Sequence, residues 1–329
     1  MGHLRLSVRT CLFIILLLAW SARVQGQEAA AYPSKLVTIV LPFPPGGPSE
    51  KESRLYATKM TALLGQTFLL DYKPGAAGTI AAAQVAKARP DGYTLLIATG
   101  GFTTNPALYK DLSFDPVKDF APVSLMTQRT SVLLINPNHP AKTFAEYIAY
   151  AKKNPGKINY ATVGAGGIAH LGAAWLHSAS DVKVTYVFYK GGTALMLDLM
   201  EGRLDATSAP LLSVLPQIKA GKLRALGLMN DKRSDLLPGV RSIAEQGVPG
   251  FNYASWFGVV APGATPVAIV NKLAENLAIT AHAPEVAAPL EAEGSSMVGS
   301  TPAEFRKVIV AETAIWKKVV AEAGIKLEE

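Results

Sequence analysis

The residues of this chain whose type and spacing invite chemistry are its histidines, one cysteine and several glycine-rich loops. His170 and His177 stand seven apart, so one helix face would carry both. Two imidazoles without a third ligand make a poor metal site and read better as packing and capping residues. His3, His139 and His282 stand apart from them, and Cys11, alone, offers neither a disulfide nor a cysteine metal site. Residues 164–169 read GAGGIA and match the glycine pattern that seats a dinucleotide. That pattern needs an acidic residue at the end of the following strand to hold the ribose, and here that strand ends in Tyr189-Lys190. The sequence holds no G-x-S-x-G elbow, no H-E-x-x-H and no G-K-[ST] phosphate loop. Nothing pairs a nucleophile with a base. These absences argue against an enzyme, and no metal or resident cofactor is expected.

What remains is backbone. Four apolar runs end in short, donor-rich loops: Phe43-Pro44-Pro45-Gly46-Gly47-Pro48-Ser49, then Gly100-Gly101-Phe102-Thr103-Thr104, then Gly164-Ala165-Gly166-Gly167 leading to His170, then Lys190-Gly191-Gly192-Thr193. Glycine lets backbone N–H groups approach a ligand, and a helix starting there adds positive potential. Gathered on one side, such loops bind a small anion. The expected contacts are Phe43, Gly46, Gly47 and Ser49; Gly101, Phe102 and Thr103; Val163, Gly164, Ala165, Gly166 and His170; and Lys190 with Gly191.

The elements that must position these loops alternate. KLVTIVLPF, TFLLDY, YTLLIAT, SVLLINP, INYATV, VTYVFY, LDATSA, LRALGLM and SWFGVVAP read as strands, most of them separated by helical patterns. Ser49 with Glu52, Thr143 with Glu146 and Thr301 with Glu304 have capping-box spacing. This order predicts an α/β protein with mostly parallel sheets, whose ligands lie past the carboxyl ends of the strands. Two extended runs, FAPVSLMTQRTSVLLINP and YASWFGVVAP, are long enough to cross between two sheets. The expected division is residues 32–128 plus 255–329 as one domain and 129–254 as the other, joined by these crossing strands, with a ligand cleft between them. Crossing points are expected near Ser124–Thr127 and Ser255–Phe257.

The N-terminus differs from the rest. Arg5 and Arg9 precede the apolar CLFIILLLAW, and small residues follow, so residues 1–26 read as a cleaved secretory signal that takes Cys11 with it. Export follows from that reading. Of the net charge of +7, Arg5, Arg9 and Arg23 leave with this segment. The remainder is mildly basic, lacks the Lys/Arg runs of nucleic-acid binders, and suits a small anion.

In order along the chain stand YPSK and FPPGG, KPGAAG near 75, PDGYTLL near 90, NPALY at 105 and DFAPVSL at 119. NPGKINYAT at 154, YKGG at 189, IKAGKLRALG at 218, SWFGVVAPGATP at 255 and GSTPAEF at 299 complete the series. Together, over residues 32–326, they resemble the Bug-type periplasmic receptors of the tripartite tricarboxylate transporters. The resemblance implies two α/β domains in the manner of type II periplasmic binding proteins, closing on a small organic acid, one carboxylate held by backbone amides and waters from the loops Phe43–Ser49 and Val163–Gly167. It also implies membrane components of a tripartite transporter as partners, and a receptor that works as a monomer. The alternatives are a ligand-sensing receptor for a signalling partner and an exported enzyme. Where the family commonly has Ala-Thr-Asp after the first glycines, this chain has Pro48-Ser49-Glu50, then Lys51-Glu52; and Phe102 stands where many members have small polar residues. Bulk at Phe102 and charge at Lys51 lean towards a dicarboxylate, with an aromatic body as one option.

Overall fold

In the computed structural model, residues 31–325 other than residue 166 are described. The signal-peptide reading and Gly166 therefore lie outside the described residues.

The first third of the chain builds three βα units. β1 (Val37–Leu41) leads to α1 (Pro48–Leu64), β2 (Phe68–Tyr72) to α2 (Thr79–Ala86), and β3 (Thr94–Thr99) directly to α3 (Gly100–Leu108). β1 lies between β2 and β3, parallel to both. Alternation dictates the two cores: Ile39, Leu41, Leu95 and Ile97 face one side, with Tyr56 and Met60 of α1. Val40, Leu96 and Ala98 face the other. Strands buried on both faces read as continuous apolar runs, as these do.

A long strand, β4 (Phe120–Ile135), changes partners along its length. Up to Thr130 it pairs antiparallel with β9 (Ala254–Pro262), which itself lies beside β3. From Ser131 it pairs with β7 (Ala206–Pro210) on one side and, from Val132, with β8 (Arg224–Leu228) on the other. The change of sheet thus falls between Thr130 and Ser131. Ser124 and Thr127, expected at a crossing, lie instead inside the first sheet and are fully buried. The second sheet continues through β5 (Asn159–Val163), parallel to β7 and to β6 (Thr185–Tyr189). α4 (Phe144–Lys153) and α5 (Ile168–Ala179) cover one face, with α6 (Gly192–Met200) and α7 (Leu211–Lys219) on the other. The sheet is mixed rather than mostly parallel, because every pairing made by β4 and β9 is antiparallel.

The chain returns to the first sheet with β9, α8 (Val267–Ala281), α9 (Pro284–Glu291) and the short β10 (Ser295–Met297), then ends in α10 (Pro302–Ala323). Thr301 caps α10 with the expected reciprocal box: its hydroxyl accepts from Glu304 N–H and the Glu304 carboxylate accepts from Thr301 N–H. Phe305 and Ile309 of α10 join the core beneath β3, whereas Trp316 and Val319 join the core of the second sheet. One helix therefore stitches both.

Candidate functional site

Because β1 to β3 are parallel, as are β5 to β7, their carboxyl ends gather on two edges, and each is followed by a loop or a helix start.

On the first edge, Gly46 has φ +95°, a conformation that other residues rarely adopt. Gly47, not Ser49, is the N-cap of α1, and Pro48 occupies the first helical position, where its missing N–H costs nothing. Ser49 is buried and makes no capping bond. Glu50 reaches back to accept from Gly46 N–H, is paired with Arg54, and accepts from Tyr72 Oη at 2.7 Å. The Arg54 hydrogen bond, then the Gly46 N–H and then Tyr72 hold this carboxyl down to about 2, so it is ionised at the head of α1. One amide expected to serve a ligand is thus engaged by the protein's own carboxylate. Glu52, expected to complete a cap, is instead fully buried beside Thr127 and 3.6 Å from Arg129 Nη2. Lys51 pairs with Glu293, not with Glu50.

Phe102 is placed differently from the expectation. It is 5% exposed, edge-on to Phe120 at 4.9 Å and stacked on Phe114 at 6.0 Å. A phenyl ring in the first turn of α3 is drawn into the apolar core beneath the sheet, where it also borders the small gap beside Phe43 and Thr99. Thr103 is likewise buried, its hydroxyl 3.0 Å from Gly100 O and donating to Glu312 at 2.7 Å. Gly101 packs its backbone against the turn at residues 75–78.

That turn, within KPGAAG, lies outside the four expected loops. Gly75, Ala76, Ala77 and Gly78 all have positive φ, which is uncommon for alanine and costs energy that other contacts must offset. Asn105 Nδ2 holds it by donating to Ala77 O at 3.1 Å. Phe43, Ala77, Thr99 and Asn105 line a gap of about 20 Å³, room for one water. Two glycines flanking two alanines could have been read as such a turn.

On the second edge, Gly164 N–H donates to Tyr189 O at 3.1 Å, joining the loop after β5 to the end of β6. Val163, Gly164, Ala165, Lys190 and Gly191 are thereby brought together, all exposed. Gly164 has φ +70°, and a Cβ added at Gly164, Gly191 or Gly192 would meet nothing within 4 Å. His170 lies one turn into α5, 7% exposed, with its ring against Tyr186 and Phe188. Burial lowers its pKa, which favours the neutral ring over a cation for an anionic ligand. His177 is buried between Tyr147 and Tyr186 hydroxyls at 3.0 Å each, and burial lowers its pKa to about 3. The two histidines do not form a metal site, and among the described residues no group of three potential ligands gathers.

The edges face each other. A Cβ on Gly100, at the head of α3, would lie 3.3 Å from Ile168 Cδ1, at the head of α5. Two helix N-termini thus converge with glycine loops beside them, a setting for anions held by amides and dipoles rather than for bond-making chemistry.

Comparison with known proteins points the same way. Residues 53–325 match the tripartite tricarboxylate transporter family receptor model. A UPF0065 protein from the TAR-I ttuE-ttuC' intergenic region of Agrobacterium vitis is 36% identical over 311 residues, 94% of this chain and 89% of that protein. An R. palustris protein solved with adipate is 35% identical with a TM-score of 0.67, covering 90% of this chain and 99% of that one. MatC from Rhodopseudomonas palustris, solved with bound malate, is 31% identical with a TM-score of 0.65, covering 88% of this chain and 100% of that one.

Proposed function

Because the chain belongs to the tripartite tricarboxylate transporter receptor family, a family of solute-binding proteins and not of enzymes, we propose that it captures a small organic carboxylate between two α/β lobes and delivers it to the membrane components of a tripartite transporter. The lobes are residues 32–128 with 255–329, and residues 129–254. Among the described residues no helix is long and apolar enough to cross a membrane. The proposed setting is the periplasm, reached through a signal at residues 1–26, with the receptor acting as a monomer.

The observation that carries this reading is the second edge. There the Gly164 and Gly191 loops are tied together, open to the α3 N-terminus, and flanked by the Lys190 cation. The two residues that favour a dicarboxylate on sequence grounds are engaged elsewhere, Phe102 in the core and Lys51 with Glu293. Dicarboxylates remain the first ligands to try because adipate and malate accompany the two R. palustris proteins. Calorimetry of carboxylates against their neutral amides tests the reading: an acid should bind with micromolar affinity, and preference for the amides would defeat it.

Two substitutions locate the contact. Lys190→Ala should weaken the best acid about tenfold, the size of one charge-assisted hydrogen bond. Gly47→Val should weaken it to a similar degree, about 1.4 kcal/mol, without unfolding. A Cβ there meets only Ser49 Oγ, at 3.9 Å, so any obstruction falls on the ligand. Full affinity in both variants would move the site elsewhere.

A further inference from the structure

α6 and α7 lie on the same face of the second sheet without closing over it. α6 packs through Leu195 and Leu199, 2% and 0% exposed, and α7 through Leu211 and Val214. Between them the sheet presents Ala209, a side chain too short to fill the space. The result is a cavity of about 590 Å³, within the range of sites that enclose small organic ligands. Its walls are Leu195, Met196, Leu197, Met200 and Val214. Leu197 is 50% exposed although it stands on the wall of this space. Among the described residues lining the cavity none is charged, and Gln217 Oε1 is buried there without a hydrogen-bond partner.

One end of the cavity is formed by Val163, Ala169, Gly192, Thr193 and Pro210. These are the last residue of β5, the first turns of α5 and α6, and the end of β7. The cavity therefore opens on the edge where Gly164 and Lys190 stand. An anionic group fits the edge and not the interior, because a carboxylate moved among leucines and methionines loses its hydration with no cation to replace it. An acceptor such as Gln217 Oε1 adds to that exclusion. An apolar chain or ring has the opposite preference.

We infer that this cavity receives the apolar body of the ligand, so that the chain selects carboxylates carrying an alkyl chain or aromatic ring over short, hydroxylated acids. The inference rests on the carboxylate reading above and adds to it which part of the ligand enters the second lobe. Methionine walls suit it, since an unbranched thioether adapts to more than one shape of occupant.

Calorimetry with butanoate, hexanoate and octanoate, their amides, and malate tests it on the whole mature chain. Affinity should rise roughly threefold to fourfold per methylene as the chain lengthens. Leu197→Gln keeps the volume but removes the apolar wall; it should weaken octanoate about fivefold or more while leaving butanoate nearly unchanged. Leu197 is exposed enough for the fold to tolerate the change, and a thermal melt checks this. The chain-length series on the unaltered protein needs no variant at all. Octanoate binding no tighter than butanoate, or a slope that survives Leu197→Gln, overturns the cavity assignment and leaves the carboxylate reading standing. Amides that bind as well as acids overturn both.

Discussion

Trp316→Ala should lower the free energy of unfolding by about 3–5 kcal/mol, the range for removing a large buried aromatic. Trp316 is 2% exposed and sits edge-on to Trp175, with ring centroids 5.6 Å apart, and to Tyr253 at 6.4 Å. Edge-to-face aromatic pairs add to the area they bury. The position also matters for the whole molecule. Two turns and more earlier, Phe305 and Ile309 anchor α10 beneath the first sheet, with Phe305 edge-on to Trp256. Trp316 anchors it to the second. Its loss removes the far end of a staple, not merely one core contact. Urea melts would show a lower midpoint. A slope equal to the unaltered protein's means that the two sheets still unfold together, and a shallower or split transition means that the staple was what coupled them. Val310→Ala, a change at an exposed position of the same helix, should stay within about half a kcal/mol. A Trp316 loss of that small size would show that the ring is dispensable.

The alternation of strands and helices was legible because it rests on local chemistry. Thr143 and Thr301 cap their helices as their spacing predicts, each accepting from the glutamate N–H three residues on. Ser49 has the same spacing and fails. Pro48 belongs at the first helical position, so the cap moves back to Gly47 and Glu50 becomes the residue that turns to the loop. Two local rules competed, and the proline rule prevailed. The placement of Phe102 was not legible, since only the packed sheet reveals that the first turn of α3 faces Phe114 and Phe120. The parallel βα units were legible, and so was the length of FAPVSLMTQRTSVLLINP, which crosses between two sheets as β4; the residue at which it changes partners was not. The antiparallel pairings of β4 and β9 depend on contacts more than a hundred residues apart, as Thr127 with Phe257 shows. The meeting of the loops after β5 and β6 was legible in kind, from glycines following strands. The cavity beside it was not, because it arises from how α6 and α7 seat over Ala209, which only the packed sheet reveals.

Glu312→Gln should stabilise the protein at pH 8 by about 2–3 kcal/mol and at pH 5 by less than about 1 kcal/mol. Glu312 lies on α10 one turn before Trp316. Its carboxylate accepts from Thr103 Oγ1 at 2.7 Å and from Trp256 Nε1 at 2.9 Å. Burial raises its pKa from 4.5 to about 7, against the pull of those hydrogen bonds. The unfolded chain therefore gives up this proton near pH 4.5 and the folded chain only near 7. Across that window the folded state holds more protons, so stability falls as pH rises, and the full penalty is in place above about 7. Glutamine keeps an acceptor for Trp256 and never ionises. Some of the penalty is relieved by the adjoining cavity of about 370 Å³, which Glu312 lines with Asp231 and Lys307, so the gain falls short of the full shift. Glu52, also raised to about 7 by burial, tilts both proteins in the same direction and cancels in the difference between them. Burial lowers the pKa values of His139, His170 and His177, so they act on the acid side and cancel likewise. Urea melts of both proteins at the two pH values measure the effect. Equal destabilisation at pH 5 and pH 8 would mean that the hydrogen bonds, and not the buried charge, govern this position.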